Sequence, residues 1–243
     1  MLILDKNTPL ATVQDPAFRA EEGMVICMDK PLSWTSADLV RKIKFRLKRC
    51  WQQKDLKVGH AGTLDPLASG VLLVCVGKAT KQAEALQSQP KEYIASIRFG
   101  ATTPSFDLEK EIDREYPWQH ITPEGLSQVL QGFTGEQLQM PPIYSAKMVE
   151  GMRAYEFARQ GLEMPELKQV SITLYQIEML SCQLPDITLR IRCSKGTYIR
   201  AFARDLGLSL ESGAHLTGLQ RSRSGEFEVN NALSLEQFET IFK

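Results

Sequence analysis

The chain has 243 residues, of which 24% are charged and 43% are hydrophobic, and its 29 basic and 29 acidic side chains give a formal net charge of zero. This composition excludes an intrinsically disordered or low-complexity protein, because it offers enough apolar surface to offset the entropy of the chain. It also excludes a membrane-spanning helix of about 20 apolar residues, since the longest apolar run covers only residues 71–76.

The cysteine and histidine pattern indicates a metal-free protein of a reducing compartment. The five cysteines form no C-x-x-C pair, and the three histidines are scattered along the chain. Structural zinc needs such ligand spacing, so we expect no metal. The first 22 residues carry six charges and no signal-peptide core. Together with the thiols, which remain reduced in the cytoplasm, this predicts a cytoplasmic protein.

In the first part of the chain, a capping motif predicts the start of one helix. Thr35 and Asp38 have the spacing of a capping box. Leu39, Ile43 and Leu47 then recur at every fourth position, which predicts one buried helical face. The other elements expected here are an extended arm (1–22), a strand (24–28), a Gly-rich loop (58–67), a buried strand (70–76), a short helix (77–85) and a strand (92–99).

The second part of the chain mixes strands and helices without a regular βαβ period. We expect an acidic loop (102–118), helices (123–130, 153–159, 196–208, 235–242), an extended segment (139–147) and strands (170–180, 187–193, 227–232). This order predicts an α+β fold with a mixed, mostly antiparallel central sheet and flanking helices. We expect an N-terminal arm over 1–22 and one domain over 23–243, with a small insertion around 102–160.

The zero net charge conceals a strong segregation of basic and acidic residues along the chain. Residues 41–60 contain eight basic and one acidic side chain, and residues 188–223 contain seven and two. Between them, residues 101–166 contain eleven acidic and five basic side chains. Phosphate binding depends on the local field and not on the total, so the composition does not argue against nucleic acid. Each block is equally compatible with a solvated surface.

The most informative segment is the Gly-rich loop over residues 57–72. Gly59, Gly62 and Gly70 allow positive φ and a close approach of the backbone to a ligand. Asp65 directly precedes Pro66, which favours an extended backbone at the aspartate. A lone Asp-Pro is usually a turn, but here it lies in a longer pattern of glycines followed by a buried strand.

This pattern resembles the catalytic loop of the tRNA pseudouridine synthase B (TruB) family. The family loop reads G-H-x-G-x-L-D-P-x-A-x-G-x-L, and the chain matches every fixed position. Six further family motifs occur in the same order: D-K-P at 29–31 with T-S at 35–36, G-K-A-T-K at 77–81, K-E-Y at 91–93, P-P-I-Y-S-A at 141–146, G-T-Y-I-R at 196–200 and G-A-H at 213–215.

The resemblance implies an enzyme that isomerises uridine-55 in the T-loop of tRNA to pseudouridine, without cofactor or metal, after everting the base. Asp65 matches the catalytic aspartate of the family. A carboxylate suits either of two routes, attack on C1′ with a covalent intermediate or removal of the C2′ proton to give a glycal. The expected partner is the T-arm stem-loop of tRNA, bound by a monomer.

The resemblance also implies roles around Asp65. Arg200 matches the arginine that pairs with the aspartate and orients it. The substrate-binding positions are His60, Tyr93, Tyr198 and Leu219, and the positions that support the loop are Lys30 and Pro31. Phosphate contacts are expected from the basic blocks, with Lys44, Arg46, Lys147, Arg221 and Arg223 as candidates.

Three departures from the family pattern stand out. Ser105 replaces the second threonine of G-x-x-T-x-T-x-D, and Lys147 comes one residue before the usual lysine. Residues 233–243 are too few for the C-terminal RNA-binding PUA domain of many members, so we expect a short form without it.

Two other functions fit parts of the sequence. A non-catalytic tRNA-binding or tRNA-folding module would not need Asp65. A glycosidase-like hydrolase would need a second carboxylate as proton donor, and the loop over 57–72 has none.

Overall fold

The computed structural model describes residues 2–9, 23–144, 148–149, 152–153, 157 and 167–243. Its strands are β1 (Leu2–Leu4), β2 (Met24–Lys30), β3 (Val58–His60), β4 (Ala68–Val76), β5 (Lys91–Phe99), β6 (Ala101–Thr102), β7 (Arg114–Glu115), β8 (Gly135–Gln139), β9 (Met148–Val149), β10 (Met152–Arg153), β11 (Val170–Gln183), β12 (Asp186–Cys193), β13 (Ala214–Ser224) and β14 (Phe227–Glu228).

The helices are α1 (Ser36–Cys50), α2 (Ala83–Ser88), α3 (Pro123–Gly132), α4 (Ile199–Ser209) and α5 (Leu235–Ile241), with 3-10 turns at Gly77–Gln82 and Val229–Asn231. The predicted capping box is confirmed, since Thr35 and Asp38 each accept a hydrogen bond from the other's backbone N–H. None of the helices in the described ranges is long and apolar enough to cross a membrane.

Two compact units divide the chain. The first comprises Met1–Lys91 and Gln220–Lys243, and the second comprises Glu92–Leu219. Strand β13 contributes its first residues to the second unit and its last residues to the first. The candidate loop with Asp65 therefore belongs to the first unit, and the motif with Arg200 belongs to the second.

The first unit is built on β2 and β4. These strands pair antiparallel over the whole length of β2, β3 pairs antiparallel with β4, and β1 pairs parallel with β2. One face of the sheet buries a cluster that includes Val25, Cys27, Val71, Leu73 and Cys75. Because β3 pairs with β4 and β4 is almost wholly buried, the loop between β3 and β4 is attached at both ends to the central sheet of this unit.

The second unit has the strand order β5–β12–β11–β8, and β11 pairs antiparallel with both β12 and β8. Helix α4 buries one face, and its Phe202 ring meets Phe133 edge-on, with 5.2 Å between the ring centroids. Helices against a sheet with both parallel and antiparallel pairs confirm the predicted α+β class.

The structure differs from the predicted elements in several places. Short strands β3, β6 and β7 lie in or beside predicted loops, β8 was not expected, and Arg153, the predicted start of a helix, lies in strand β10. Residues 227–232 form the two-residue strand β14 followed by a 3-10 turn, and not one strand. The eleven-residue strand β13 was not expected, because its sequence shows no alternation of apolar and polar residues. The predicted segments over 10–22, 145–147 and most of 153–159 lie outside the described residues.

Candidate active site

The segment that carries Asp65 is held through its backbone by three polar side chains. The first is Ser36, at the start of α1, which is buried. Its hydroxyl donates to the carbonyl oxygen of Leu64 at 3.0 Å and accepts from the Leu64 N–H at 2.9 Å. The residue directly before Asp65 is therefore fixed on both of its peptide groups.

The second is Lys30, at the end of β2, which is fully buried. Its ammonium group donates to the carbonyl oxygens of Pro31 at 2.9 Å, Trp34 at 2.7 Å and Pro66 at 3.4 Å. The Ser33 N–H also donates to the Pro66 carbonyl, at 2.9 Å. The residue directly after Asp65 is thus tied to the turn that contains Pro31.

The third is Arg221 on β13, whose side chain is 1% exposed. Its Nε donates to the carbonyl oxygen of Val71 at 2.7 Å, Nη2 to Gly62 at 3.1 Å and Nη1 to Thr63 at 3.4 Å. The expected phosphate contact of Arg221 is therefore wrong, since a buried guanidinium that serves three carbonyls cannot reach an RNA backbone. The other predicted phosphate-binding residue of this strand, Arg223, pairs at the surface with Glu228.

Close packing of β4 against β13 explains one glycine of the loop pattern. Gly70 has φ +102°, and a Cβ atom there would lie 2.3 Å from the carbonyl oxygen of Arg221. Both the conformation and the contact require glycine. The Gly70 N–H donates to the Asp29 carboxylate at 3.1 Å, so this end of the loop is fixed as well.

Asp65 is half-buried, on a backbone that Ser36, Lys30 and Arg221 hold by hydrogen bonds. Its carboxylate acts electrostatically on Lys30. Burial lowers the pKa of Lys30 to about 8 against the opposing charge of Asp65, and the charge of Arg221 adds to the lowering.

Lys30 should make the protein more stable as the pH rises past about 8. Its ordinary pKa is 10.5, so above pH 8 the unfolded chain still binds the proton that the folded chain has released. The cost of burying the charge is relieved, and the free energy of unfolding should gain about 2 kcal/mol between about pH 7.5 and about pH 9.5.

Urea unfolding of the wild type and of Lys30→Met at both pH values isolates this contribution, because all other groups are common to the two proteins. The stability difference between them should widen with pH in favour of the wild type. A constant difference would contradict the lowered pKa.

In the second unit, Arg200 lies in the first turn of α4 and is 4% exposed. Its Nη1 donates to the carbonyl oxygen of Ser105 at 3.2 Å, and its Nε lies 3.7 Å from a carboxylate oxygen of Asp107. The Ser105 hydroxyl donates to the other Asp107 oxygen at 2.6 Å, and the Glu109 N–H donates to the same atom at 3.0 Å. Ser105 therefore keeps a hydroxyl at the position of the family threonine, and this hydroxyl is hydrogen-bonded to Asp107.

Asp107, to which the sequence assigned no role, is the acidic partner of Arg200 in this unit. The G-x-x-T-x-T-x-D pattern contained it, but nothing in the spacing indicated Arg200 as its partner. The pairing of Arg200 with Asp65 joins one unit to the other and stays a prediction.

The remaining predicted site residues lie on strands or, in the case of Tyr198, directly before a helix. Tyr198 is half-buried at the start of α4, where Gln139 accepts from its N–H at 2.9 Å and donates to its carbonyl oxygen at 3.2 Å. Tyr93 on β5 is 9% exposed, and Leu219 on β13 is half-buried. In the first unit, His60 is half-buried at the end of β3, five residues before Asp65.

Residues 48–199 match the family model described as TruB family pseudouridylate synthase (N terminal domain). The chain is 55% identical over 218 residues to the tRNA pseudouridine synthase B of Phocaeicola vulgatus, covering 90% of this chain and 92% of the relative. It is 54% identical to the protein of the same name from Parabacteroides distasonis, covering 91% and 94%.

Solved structures agree with this likeness. A chain of a Cbf5-Nop10-Gar1 complex is 29% identical with a TM-score of 0.67, over 94% of this chain and 55% of that one. A chain of an H/ACA RNP bound to a substrate RNA containing 2′-deoxyuridine is 29% identical with a TM-score of 0.61, over 87% and 51%. The chain thus spans about half the length of these two solved chains.

Proposed function

The chain belongs to the TruB family of pseudouridylate synthases, which are isomerases, and on this premise we propose that it converts uridine-55 in the T-loop of tRNA to pseudouridine with Asp65 as the reacting group. The tRNA substrate is supported by relatives that are more than half identical and are named as tRNA pseudouridine synthases. The observation that carries the role of Asp65 is the clamping of its backbone on both sides by Lys30, Ser36 and Arg221.

The reaction conserves every atom of the uridine. The N1–C1′ bond breaks, the base turns, a C5–C1′ bond forms, and the proton lost from C5 is balanced by one gained at N1. A carboxylate serves both open routes, as a nucleophile toward C1′ or as a base toward C2′. In either, a fixed carboxylate contributes more than a mobile one, because its orientation is set before the substrate binds.

The other family positions have complementary roles in this proposal. The base must leave the loop stack, at a cost of a few kcal/mol in this class of enzyme. His60 contacts the RNA, and Tyr93 stacks on the everted base. Tyr198 and Leu219 line the nucleotide pocket. Support of the catalytic loop is assigned to Lys30 and Pro31, in agreement with the hydrogen bonds that the Lys30 ammonium group donates to the carbonyl oxygens of Pro66 and Pro31. The five free cysteines fit a cytoplasmic enzyme.

The test is tritium release from a T-arm stem-loop RNA labelled at C5 of its uridines. The wild type should release the label of one uridine per RNA, and a stem-loop with cytidine at position 55 should release none. Binding without release would favour a tRNA-binding or tRNA-folding module, and free uracil in the supernatant would favour a hydrolase. Either result would overturn the proposed function.

A further inference from the structure

The outer face of α1 carries an aromatic side chain between two arginines. Arg41, Phe45 and Arg49 follow one another at i, i+4 spacing, so they lie along one line of the helix surface. Phe45 is 65% exposed and Leu32, in the turn before the helix, is 58% exposed. One exposed apolar residue needs no explanation, but an aromatic ring set among cations is typical of surfaces that bind single-stranded nucleic acid.

Phe45 lines an open groove of about 490 Å³, together with Ser33 and Trp34 from the turn before the helix and with Asp38, Arg41 and Lys42 from the helix. This volume lies within the roughly 300–1,000 Å³ of small-ligand sites. The groove that Phe45 and Trp34 line therefore has room for a flat unpaired base.

The groove is attached to the segment that carries Asp65. Ser33 has φ 65° and its N–H donates to the Pro66 carbonyl at 2.9 Å, and the Trp34 carbonyl accepts from Lys30 at 2.7 Å. Both bonds lie within the first unit. A nucleotide bound in this groove would be close along the RNA to the one that reaches Asp65.

The charge of the helix suits a phosphate backbone. Helix α1 contains six basic residues and one acidic residue. Three of the cations have partners within the protein: Arg41 pairs with Asp38, Lys42 with Glu239 at 2.8 Å, and Arg46 donates to the Glu239 carbonyl. Arg49 is exposed and has no ion-pair partner among the residues that the structure describes, so its charge is available to a ligand.

We propose that Phe45 and Trp34 form a stacking platform for an unpaired nucleotide of the RNA substrate, with Arg49 on its phosphate. This rests on the proposed function for the identity of the RNA. Arg46, expected from the sequence to lie on the RNA, is held instead by α5 and is not part of the platform.

The test measures binding with the inactive Asp65→Asn background, so that it does not depend on catalysis. Phe45→Ala should raise the Kd for the T-arm stem-loop about tenfold, and Phe45→Trp should restore it, since stacking needs only an aromatic face. Arg49→Gln should weaken binding and lower the salt slope by about one. Tyr175→Ala is the matched control, because Tyr175 is another exposed aromatic beside an arginine, on a strand of the second unit, and it should leave the Kd unchanged.

A 2-aminopurine placed in turn at each unpaired position of the loop identifies the nucleotide. One position should be quenched on binding, and Phe45→Ala should remove that quenching. An unchanged Kd and unchanged quenching in Phe45→Ala would overturn the platform. A Phe45→Ala variant that changes self-association but not RNA binding would also overturn it, because this face would then be a protein interface. A wild type that binds through Phe45 but releases no tritium would overturn the proposed function alone.

Discussion

Replacement of Asp65 by asparagine is expected to abolish pseudouridine formation while leaving the fold and RNA binding nearly unchanged. Asparagine keeps the shape of the side chain but can neither attack C1′ nor accept the C2′ proton. Removal of such a group lowers kcat by at least about 10³-fold in enzymes that depend on it. The hydrogen bonds that hold the loop are made by Lys30, Ser36 and Arg221 to backbone atoms, so they survive the substitution.

Asp29→Asn is the matched control. Asp29 is a second carboxylate beside the same loop, where it accepts from the Gly70 N–H, and an asparagine oxygen can accept the same bond. Single-turnover tritium release should therefore fall only a few-fold in Asp29→Asn and by at least about 10³-fold in Asp65→Asn. Retention of a tenth of the wild-type rate by Asp65→Asn would remove the carboxylate from the chemistry.

Local sequence signals predicted most of the elements around the site. The capping box at Thr35, the buried run of β4 and the alternation in β5 each depend on residues adjacent in the chain, and all three were confirmed. The family motifs identified Asp65, because the loop motif that contains it is made of residues adjacent in the chain and can be recognised without knowledge of the fold.

The sequence did not predict the contacts that residues make across long separations. Arg221 reaches Gly62 from 159 positions away, and Arg200 reaches Ser105 from 95. Strand β13, which carries Arg221, has no alternating pattern, since side chains are buried on both of its faces and several of them are polar. A buried arginine therefore looked like a surface cation, and the charge count that suggested an RNA contact could not distinguish the two.

Arg221 should act as a positioning residue for the catalytic loop, and its loss is the second large effect that we expect. Arg221→Met leaves the carbonyl groups of Gly62, Thr63 and Val71 without their buried donor. The free energy of unfolding should fall by about 2–4 kcal/mol, since each unsatisfied buried acceptor is costly. Arg221→Lys keeps the charge but cannot direct donors at three carbonyls, so it should recover only part of this loss.

The kinetic effect separates positioning from simple stability. A shift of about 1 Å in a reacting group can cost 10²-fold in rate, so Arg221→Lys should lower kcat by about 10- to 100-fold with little change in KM, at a temperature where it is fully folded. Arg223→Met is the matched control, since Arg223 lies two residues further on β13 in an exposed ion pair with Glu228, and pairs of this kind contribute less than about 1 kcal/mol. A fully folded Arg221→Lys with wild-type kcat would show that the guanidinium stabilises the unit without orienting Asp65.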